Sequence, residues 1–203
     1  LPCQDDRAIA HVRYWIVDLL NSIQLRKALL DITAKRAVNN LVFFQRYRAN
    51  GDDWKGEIET SLTATKFTIE TLTGKSAHNN LSSIVIVSSV ASFFVAEEQP
   101  LSYHMAKAAL NQMARFYAVS LGPKGIRVNS VSSGTILKEE SKDFYRKNRF
   151  LRDLYAKTIP LGRMGDSEEV ANVIAFLCGE KASFVTGQNI VIDGGVSLLW
   201  QES

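Results

Sequence analysis

The stretch SSIVIVSS (residues 82–89) decides the fold of this chain. Its centre is apolar at four consecutive positions, so an extended segment here would be apolar on both faces. Strands buried on both faces are typical of parallel sheets that carry helices on each side. The run is also far shorter than the roughly 20 residues that a membrane-spanning helix needs. We therefore predict a central parallel strand over 83–88.

On either side of this strand, apolar runs alternate with helical periodicities. The other predicted strands lie near 13–18, 40–44, 126–132 and 189–193, and the predicted helices cover 22–37, 53–73 and 102–121, with further helical stretches at 139–157 and 167–179. Strands that alternate with helices indicate βαβ units and a parallel sheet. No repeat, linker or low-complexity tract interrupts the series. The pattern predicts a doubly wound, three-layer α/β/α fold in a single domain over residues 1–203.

Composition excludes several classes of function. The 203 residues are 46% apolar and 22% charged, with a net charge of +3, and the basic residues are spread along the chain. No basic stripe interleaved with aromatics is present, so we expect no nucleic-acid partner. No apolar run is long enough for a membrane span, and we expect no membrane partner. The three histidines show no metal-ligand spacing with carboxylates or cysteines, so we expect no metal site.

The two cysteines indicate the cellular compartment in which the protein is expected. Cys3 and Cys178 lie far apart in the sequence, and neither belongs to a CxxC pair. This usage favours free thiols in a reducing cytoplasm over a disulfide. We therefore expect a cytoplasmic protein.

The residues that are candidates for catalysis lie at the end of the central strand and in the helix that follows it. Ser88 and Ser89 end it, and Tyr103 and Lys107 follow at the start of the next predicted helix. Residues four apart share one helix face, with Cβ atoms roughly 6 Å apart. A phenol has an unperturbed pKa near 10, and a neighbouring ammonium favours the phenolate. The spacing is thus compatible with an acid–base pair, although it is also compatible with an ordinary amphipathic helix.

Taken with two further stretches, these residues resemble the short-chain dehydrogenase/reductase family. Its members carry a strand-end serine, a Tyr-x-x-x-Lys pair and a following strand like GIRVN (125–129). The family's C-terminal third is similar to the run PLGRMGDSEEVANVIAFLCGEKASFVTGQNIVIDGG (160–195). The resemblance covers about residues 12–195. It implies a Rossmann-like fold, NAD or NADP as cofactor, and a small carbonyl or secondary alcohol as substrate.

The resemblance also implies roles for individual residues. Tyr103 would be the acid–base, and Lys107 would tune it and bind the nicotinamide ribose. Ser89 would orient and polarise the substrate carbonyl, with Ser88 as the alternative. On the cofactor side, the resemblance implies that Asp18 holds the adenine and that the backbone of Ile136 meets the carboxamide.

The chain departs from the family at four places. FFQR (43–46) stands where relatives have Asn-Asn-Ala-Gly, Ser61 where they have the asparagine of a proton relay, and Ser133-Gly134 where they have Pro-Gly. The glycine-rich phosphate loop and its β-α-β unit do not appear, and residues 1–12 are too few to supply them. We therefore expect an N-terminally incomplete fold, in which the segment 13–18 lacks a neighbouring strand, and weak cofactor binding by these 203 residues.

These departures leave two functions open. One is an NAD(P)-dependent oxidoreductase that interconverts a carbonyl and a secondary alcohol. The other is a catalytically silent homologue with a structural or ligand-binding role. In either case the resemblance implies a homodimer or homotetramer, with the helices at 53–73 and 102–121 at one interface and IVIDGG (190–195) at a second.

Overall fold

A computed structural model describes residues 12–48, 50–74, 80–137 and 142–199. The elements run in chain order as α1 (Ser22–Lys35), β1 (Asn40–Phe43), α2 (Trp54–Ile58), α3 (Ala64–Thr73), β2 (Ser83–Ser89), α4 (Leu101–Leu121), β3 (Arg127–Ser133), β4 (Ile136–Leu137), α5 (Lys142–Lys147), α6 (Arg149–Thr158), β5 (Gly165–Asp166), α7 (Ser167–Cys178) and β6 (Asn189–Ile192). None of the helices in these ranges is long and apolar enough to cross a bilayer.

The main sheet has four parallel strands in the order β1-β2-β3-β6. β2 lies inside it and pairs with β1 on one side and with β3 on the other, where Ser83 faces Arg127 and Ser89 faces Ser133. The central parallel strand expected over 83–88 is therefore confirmed. Because all the strands run the same way, the carboxyl ends of β2 and β3 lie together at one edge of the sheet.

Helices cover both faces of this sheet. Alternate residues of β2 point to opposite faces, as in any strand. Ile84 and Ile86 pack with Leu110 of α4, whereas Val85 packs with Ile174 of α7, and the three strand residues are fully buried. The predicted three-layer α/β/α architecture is thus confirmed, and it holds α4 against the sheet close to the end of β2.

α2 and α3 form one continuous helix through a π-helical turn at Glu59–Thr63. The backbone N–H of Ala64 donates to the carbonyl of Glu59, five residues back, as a π-helix requires. The predicted helix over 53–73 is present, but the periodicity did not reveal the π-turn. Ser61 lies within this turn and is fully buried.

The predicted strand at 13–18 is wrong. This segment is irregular and ends in a turn that leads into α1. The side chain of Ile16 is 93% exposed, while Val17 and Leu19 pack against the buried face of α1. A strand needs a neighbour that accepts and donates its backbone hydrogen bonds, and among the described residues nothing pairs with this segment.

Gly134 lies where the chain leaves β3 and passes β6. Its N–H donates to the carbonyl of Ile192 at 2.9 Å. A Cβ at this position would lie 2.8 Å from Cβ of Asp193 and 2.9 Å from its Cα, closer than packed carbon atoms come. Glycine is therefore required here by the close approach of the two backbones.

Candidate functional site

Lys107 is a deeply buried charged side chain near the end of β2. It is 4% exposed, and its Nζ donates to the carbonyl of Val87 at 3.2 Å. Its Nζ also lies 5.5 Å from the ring centre of Tyr103, one helical turn earlier on α4. Burial lowers the pKa of Lys107 to about 8; Glu57 counteracts this change, whereas the charge of Arg46 adds to it.

Tyr103 lies close to two cations. Cζ of Arg46 is 5.2 Å from the centre of the Tyr103 ring, and Nζ of Lys107 is 5.5 Å from it. The guanidinium of Arg46 also donates to Gln99 at 3.0 Å, which holds it in place. A cation within about 6 Å of an aromatic ring is attracted to the π-system. The structure therefore brings Tyr103 and Lys107 together as the spacing predicted, with Arg46 as an additional neighbour.

The two serines at the end of β2 have different surroundings. Ser88 is buried, and its hydroxyl donates to the carbonyl of Lys107 at 2.9 Å, which ties the strand to α4. Ser89 is half-buried, and its Oγ accepts a hydrogen bond from the N–H of Ala91 at 3.2 Å. Since the Ser88 hydroxyl is committed to a structural hydrogen bond, Ser89 is the better candidate for contact with a substrate.

The two remaining predicted residues lie elsewhere. Asp18 is exposed in the turn before α1, where its Oδ1 accepts from the N–H of Leu20 at 2.9 Å. Ile136 is half-buried in β4 and pairs with Gly165 in a small parallel sheet that the sequence did not predict. Neither residue forms a hydrogen bond or an ion pair with Tyr103 or Lys107 in the described part of the chain.

A cleft of about 470 Å³ opens beside Tyr103, and its walls include Arg46, Asp52, Glu57 and Ser102. Asp52 accepts from the N–H of Ser102 at 3.3 Å, which joins the loop before α2 to the start of α4. Glu57 is unusual for a carboxylate because it is only 4% exposed. The sequence analysis did not identify Glu57; its spacing of four from Ser61, on one helix face, is the signal that was available.

A polar network connects two of the places where the chain departs from the family pattern. Nε2 of Gln45 donates to Oγ1 of Thr65 at 2.5 Å, and that hydroxyl donates to the carbonyl of Ser61 at 2.7 Å. The Ser61 hydroxyl donates in turn to Glu57 at 2.5 Å. Gln45 of the FFQR segment and Ser61 are therefore parts of one hydrogen-bonded arrangement that ends at Glu57 in the wall of the cleft.

Comparison with known proteins identifies relatives of this arrangement. The family model described as Enoyl-(Acyl carrier protein) reductase matches residues 32–197. The chain is 35% identical to a tropinone reductase homolog of Arabidopsis thaliana over 147 residues, which are 72% of this chain and 56% of that protein. It is 34% identical to the 3-oxoacyl-[acyl-carrier-protein] reductase FabG of Aquifex aeolicus over 151 residues, which are 71% of this chain and 56% of that protein. The chain thus spans about half the length of the curated relatives that it matches.

Solved structures share the fold. A short-chain type dehydrogenase/reductase from Mycobacterium ulcerans superposes with a TM-score of 0.77 at 28% identity, covering 92% of this chain and 70% of that one. A gluconate 5-dehydrogenase from Burkholderia cenocepacia, solved in complex with NADP and tartrate, has a TM-score of 0.75 at 22% identity and covers 91% of this chain and 74% of that one. At this identity the second likeness establishes the fold alone.

Proposed function

The chain belongs to the short-chain dehydrogenase/reductase family, and on this premise we propose that it carries the catalytic site of an NAD(P)-dependent oxidoreductase. The reaction would interconvert a carbonyl and a secondary alcohol on a small molecule. The observation that carries the proposal is the Lys107 ammonium, buried at the end of β2 and 5.5 Å from the ring of Tyr103. A buried cation beside a phenol is costly to the fold, and acid–base chemistry gives a reason for it.

In this proposal each side chain has one task. Tyr103 gives a proton to the oxygen of the carbonyl during reduction and takes it back during oxidation. Lys107 favours the charged form of the phenol by its own positive charge. Ser89, at the same end of β2, donates a hydrogen bond to the carbonyl oxygen and so orients it. Each of these tasks needs a donor or a charge that the residue type supplies.

The nicotinamide half of a cofactor fits the residues present. Nζ of Lys107 has three donors, and among the described residues it donates a hydrogen bond to the carbonyl of Val87. Donors therefore remain for the hydroxyls of a ribose, and the backbone of Ile136 would take the carboxamide. When bound, the cofactor supplies or accepts the hydride. Asp18 would contact the adenine, and its Oδ1 already accepts from the N–H of Leu20 in the turn before α1.

The proposal is tested on the natural-length protein with NADH and NADPH. We expect one of the two to bind, and we expect its absorbance as reduced cofactor to fall when a panel of small ketones and aldehydes is added. Binding without turnover on any carbonyl would favour the alternative, a silent homologue that keeps a ligand site. Absence of binding by both cofactors in calorimetry would overturn the proposal.

Self-association is part of the proposal. Exposed apolar side chains project from α4, among them Leu101, Phe116 and Val119, with 63%, 64% and 79% of their surface accessible. Large apolar groups grouped on one helix favour contact with another subunit. We expect light scattering at micromolar concentration to give the mass of a dimer or tetramer, and a monomeric mass would contradict this expectation.

A further inference from the structure

Asn111 is a buried amide on α4, one helical turn after Lys107 and two turns after Tyr103. Its side chain is 7% exposed, and its Nδ2 donates to Oγ of Ser92 at 2.8 Å and to Oγ of Ser132 at 3.4 Å. Its buried Oδ1 has no hydrogen-bond partner within the described residues. The proposed reaction has not used this amide.

Packing alone does not account for an asparagine at this position. A buried polar atom without a partner is unfavourable, whereas an apolar side chain of the same size would leave no such atom. The two donors of the amide, in contrast, are directed at two hydroxyls. The role of Asn111 therefore lies in the hydroxyls that it binds.

The first of these hydroxyls, on Ser92, belongs to the turn that follows Ser89. This 3₁₀ turn, Val90–Ser92, begins directly after Ser89, whose Oγ caps it by accepting from the N–H of Ala91 at 3.2 Å. The turn packs against α4, and Ala91 within it is buried. The hydrogen bond from Asn111 therefore fixes the last residue of a short turn that starts at Ser89.

Ser89 thus lies between two connections from the end of β2 to α4. Before it in the sequence, the Ser88 hydroxyl donates to the carbonyl of Lys107 at 2.9 Å. After it, the Ser92 hydroxyl accepts from Asn111 at 2.8 Å. Loss of the second connection would leave the backbone on the far side of Ser89 free to move relative to α4.

The second hydroxyl extends this network into the sheet. Ser132 is fully buried near the end of β3, and its Oγ donates to Oδ1 of Asn189 in β6 at 2.8 Å. Ser132 also lies opposite Ser88 in the register of β2 and β3. Asn111 therefore connects α4 with the strand beside β2 as well as with the turn, and this second contact fixes where its own side chain lies.

We propose that Asn111 is a positioning residue that holds the turn Val90–Ser92 and thereby fixes the direction of the Ser89 hydroxyl. The proposal rests on the proposed oxidoreductase function and deepens it, because Ser89 orients a carbonyl only if its own Oγ is held in place. α4 then contributes to the reaction at intervals of four residues, through Tyr103 and Lys107 directly and through Asn111 by way of the turn.

The test compares Asn111→Leu with Gln112→Leu in the natural-length protein. Both variants replace an amide on α4 by an apolar side chain, but Gln112 is exposed and accepts from Arg115 instead of binding the turn. Hydrogen exchange of the backbone amides is measured by ¹⁵N NMR. In Asn111→Leu we expect the N–H of Ala91, which is bonded to Ser89, to exchange about fivefold faster, the effect of one net hydrogen bond.

A second amide distinguishes the turn from the whole fold. Ile86 is fully buried inside β2, so its exchange reports the stability of the sheet. A general loss of stability would accelerate exchange at Ile86 and Ala91 together. The proposed role accelerates it at Ala91 and leaves Ile86 unchanged, and Gln112→Leu should leave both rates at their wild-type values.

A double-mutant cycle with Ser89→Ala gives a kinetic readout. The substrate is the compound that the natural-length protein reduces fastest in the panel of small ketones and aldehydes. Asn111→Leu should lower kcat about fivefold when Ser89 is present. It should have little further effect in Ser89→Ala, because the hydroxyl that Asn111 positions is then absent. An equal loss in both backgrounds would show that Asn111 acts elsewhere and would overturn the proposal.

The outcomes separate the two proposals. A wild-type exchange rate at Ala91 in Asn111→Leu would overturn the role of Asn111, whatever the activity of the enzyme. Faster exchange at Ala91 in a protein that reduces no carbonyl would support the connection between α4 and the turn and would overturn the proposed reaction. If Asn111→Leu does not fold, Ser92→Ala replaces it. That variant removes the acceptor of the same hydrogen bond and should accelerate exchange at Ala91 equally, and an unchanged rate there would contradict the proposal.

Discussion

Tyr103→Phe is expected to lower kcat for carbonyl reduction by about 10²- to 10⁴-fold while the protein stays folded. That range is the contribution of a single general acid or base. The contacts of the ring with Arg46 and Lys107 involve the π-face, which phenylalanine keeps. The substitution therefore removes the hydroxyl and its proton and leaves the packing of α4 in place. Steady-state kinetics on the natural-length protein, with circular dichroism to verify folding, measures the effect.

Tyr117→Phe is the matched control. Tyr117 lies on the same helix, and its hydroxyl is 3.5 Å from Glu70, away from the end of β2. This variant loses the same atom and should keep most of the wild-type rate. If Tyr103→Phe retains more than a tenth of the rate, Tyr103 is not the proton donor.

Lys107→Met is expected to lower kcat about as strongly as Tyr103→Phe does and, at the same time, to stabilise the fold. The rate falls because the variant removes the charge that favours the ionised phenol. The fold gains because a buried ammonium, 4% exposed, is replaced by an apolar side chain of similar length. Burial lowers the pKa of Lys107 from 10.5 to about 8. While the lysine is charged, this shift lowers the free energy of unfolding by about 3 kcal/mol.

The sign of this effect depends on pH. Below about pH 8 the lysine is charged in both states, and the native state carries the full cost of its burial. Between about pH 8 and 10.5 the unfolded state binds more protons than the native state, so wild-type stability rises with pH. The advantage of Lys107→Met should therefore be largest at neutral pH and should shrink as the pH approaches 10.5.

Urea denaturation of both proteins at several pH values measures this advantage. Lys66→Met is the control, because Lys66 is an exposed lysine on α3 that pairs with Glu70 at 2.6 Å. Exposed ion pairs contribute little, so the control should change stability slightly and keep full activity. A Lys107→Met protein less stable than the wild type at pH 7 would show that the buried charge supports the fold.

The sequence predicted those parts of the fold that local pattern determines. β2 was located to within one residue because its four apolar positions fit a strand buried on both faces. α4 was located to within one residue because its helical pattern of apolar residues extends over many turns. The stretch at 13–18 has a similarly apolar composition, yet Ile16 is exposed and the segment is irregular. A strand depends on a neighbour that may lie anywhere in the chain, and the pattern of one segment does not report that neighbour.

The candidate site likewise contains one contact that the sequence predicted and others that it did not. The pairing of Tyr103 with Lys107 follows from their spacing on one helix, so the sequence predicted it. Arg46 and Glu57 come to the same place by the path of the chain after β1 and by the packing of α2 on α4. These are contacts between segments about 50 residues apart, and no local pattern encodes them. The roles of Ser89, Tyr103 and Lys107 stay predictions until the variants are measured.

The π-turn at Glu59–Thr63 fixes the angular phase between the two halves of its helix. An α-helix turns by about 100° per residue, and a π-turn accommodates one residue more than an α-turn. Glu57 therefore projects about 100° away from the direction that an uninterrupted helix would give it, relative to the buried stripe of α3. Deletion of one residue other than Ser61 from this turn would leave composition, length and helix content nearly unchanged, yet it would rotate Glu57 by about 100° relative to α3. The position of Glu57 thus depends on the number of residues in this turn as well as on the identity of Ser61 within it.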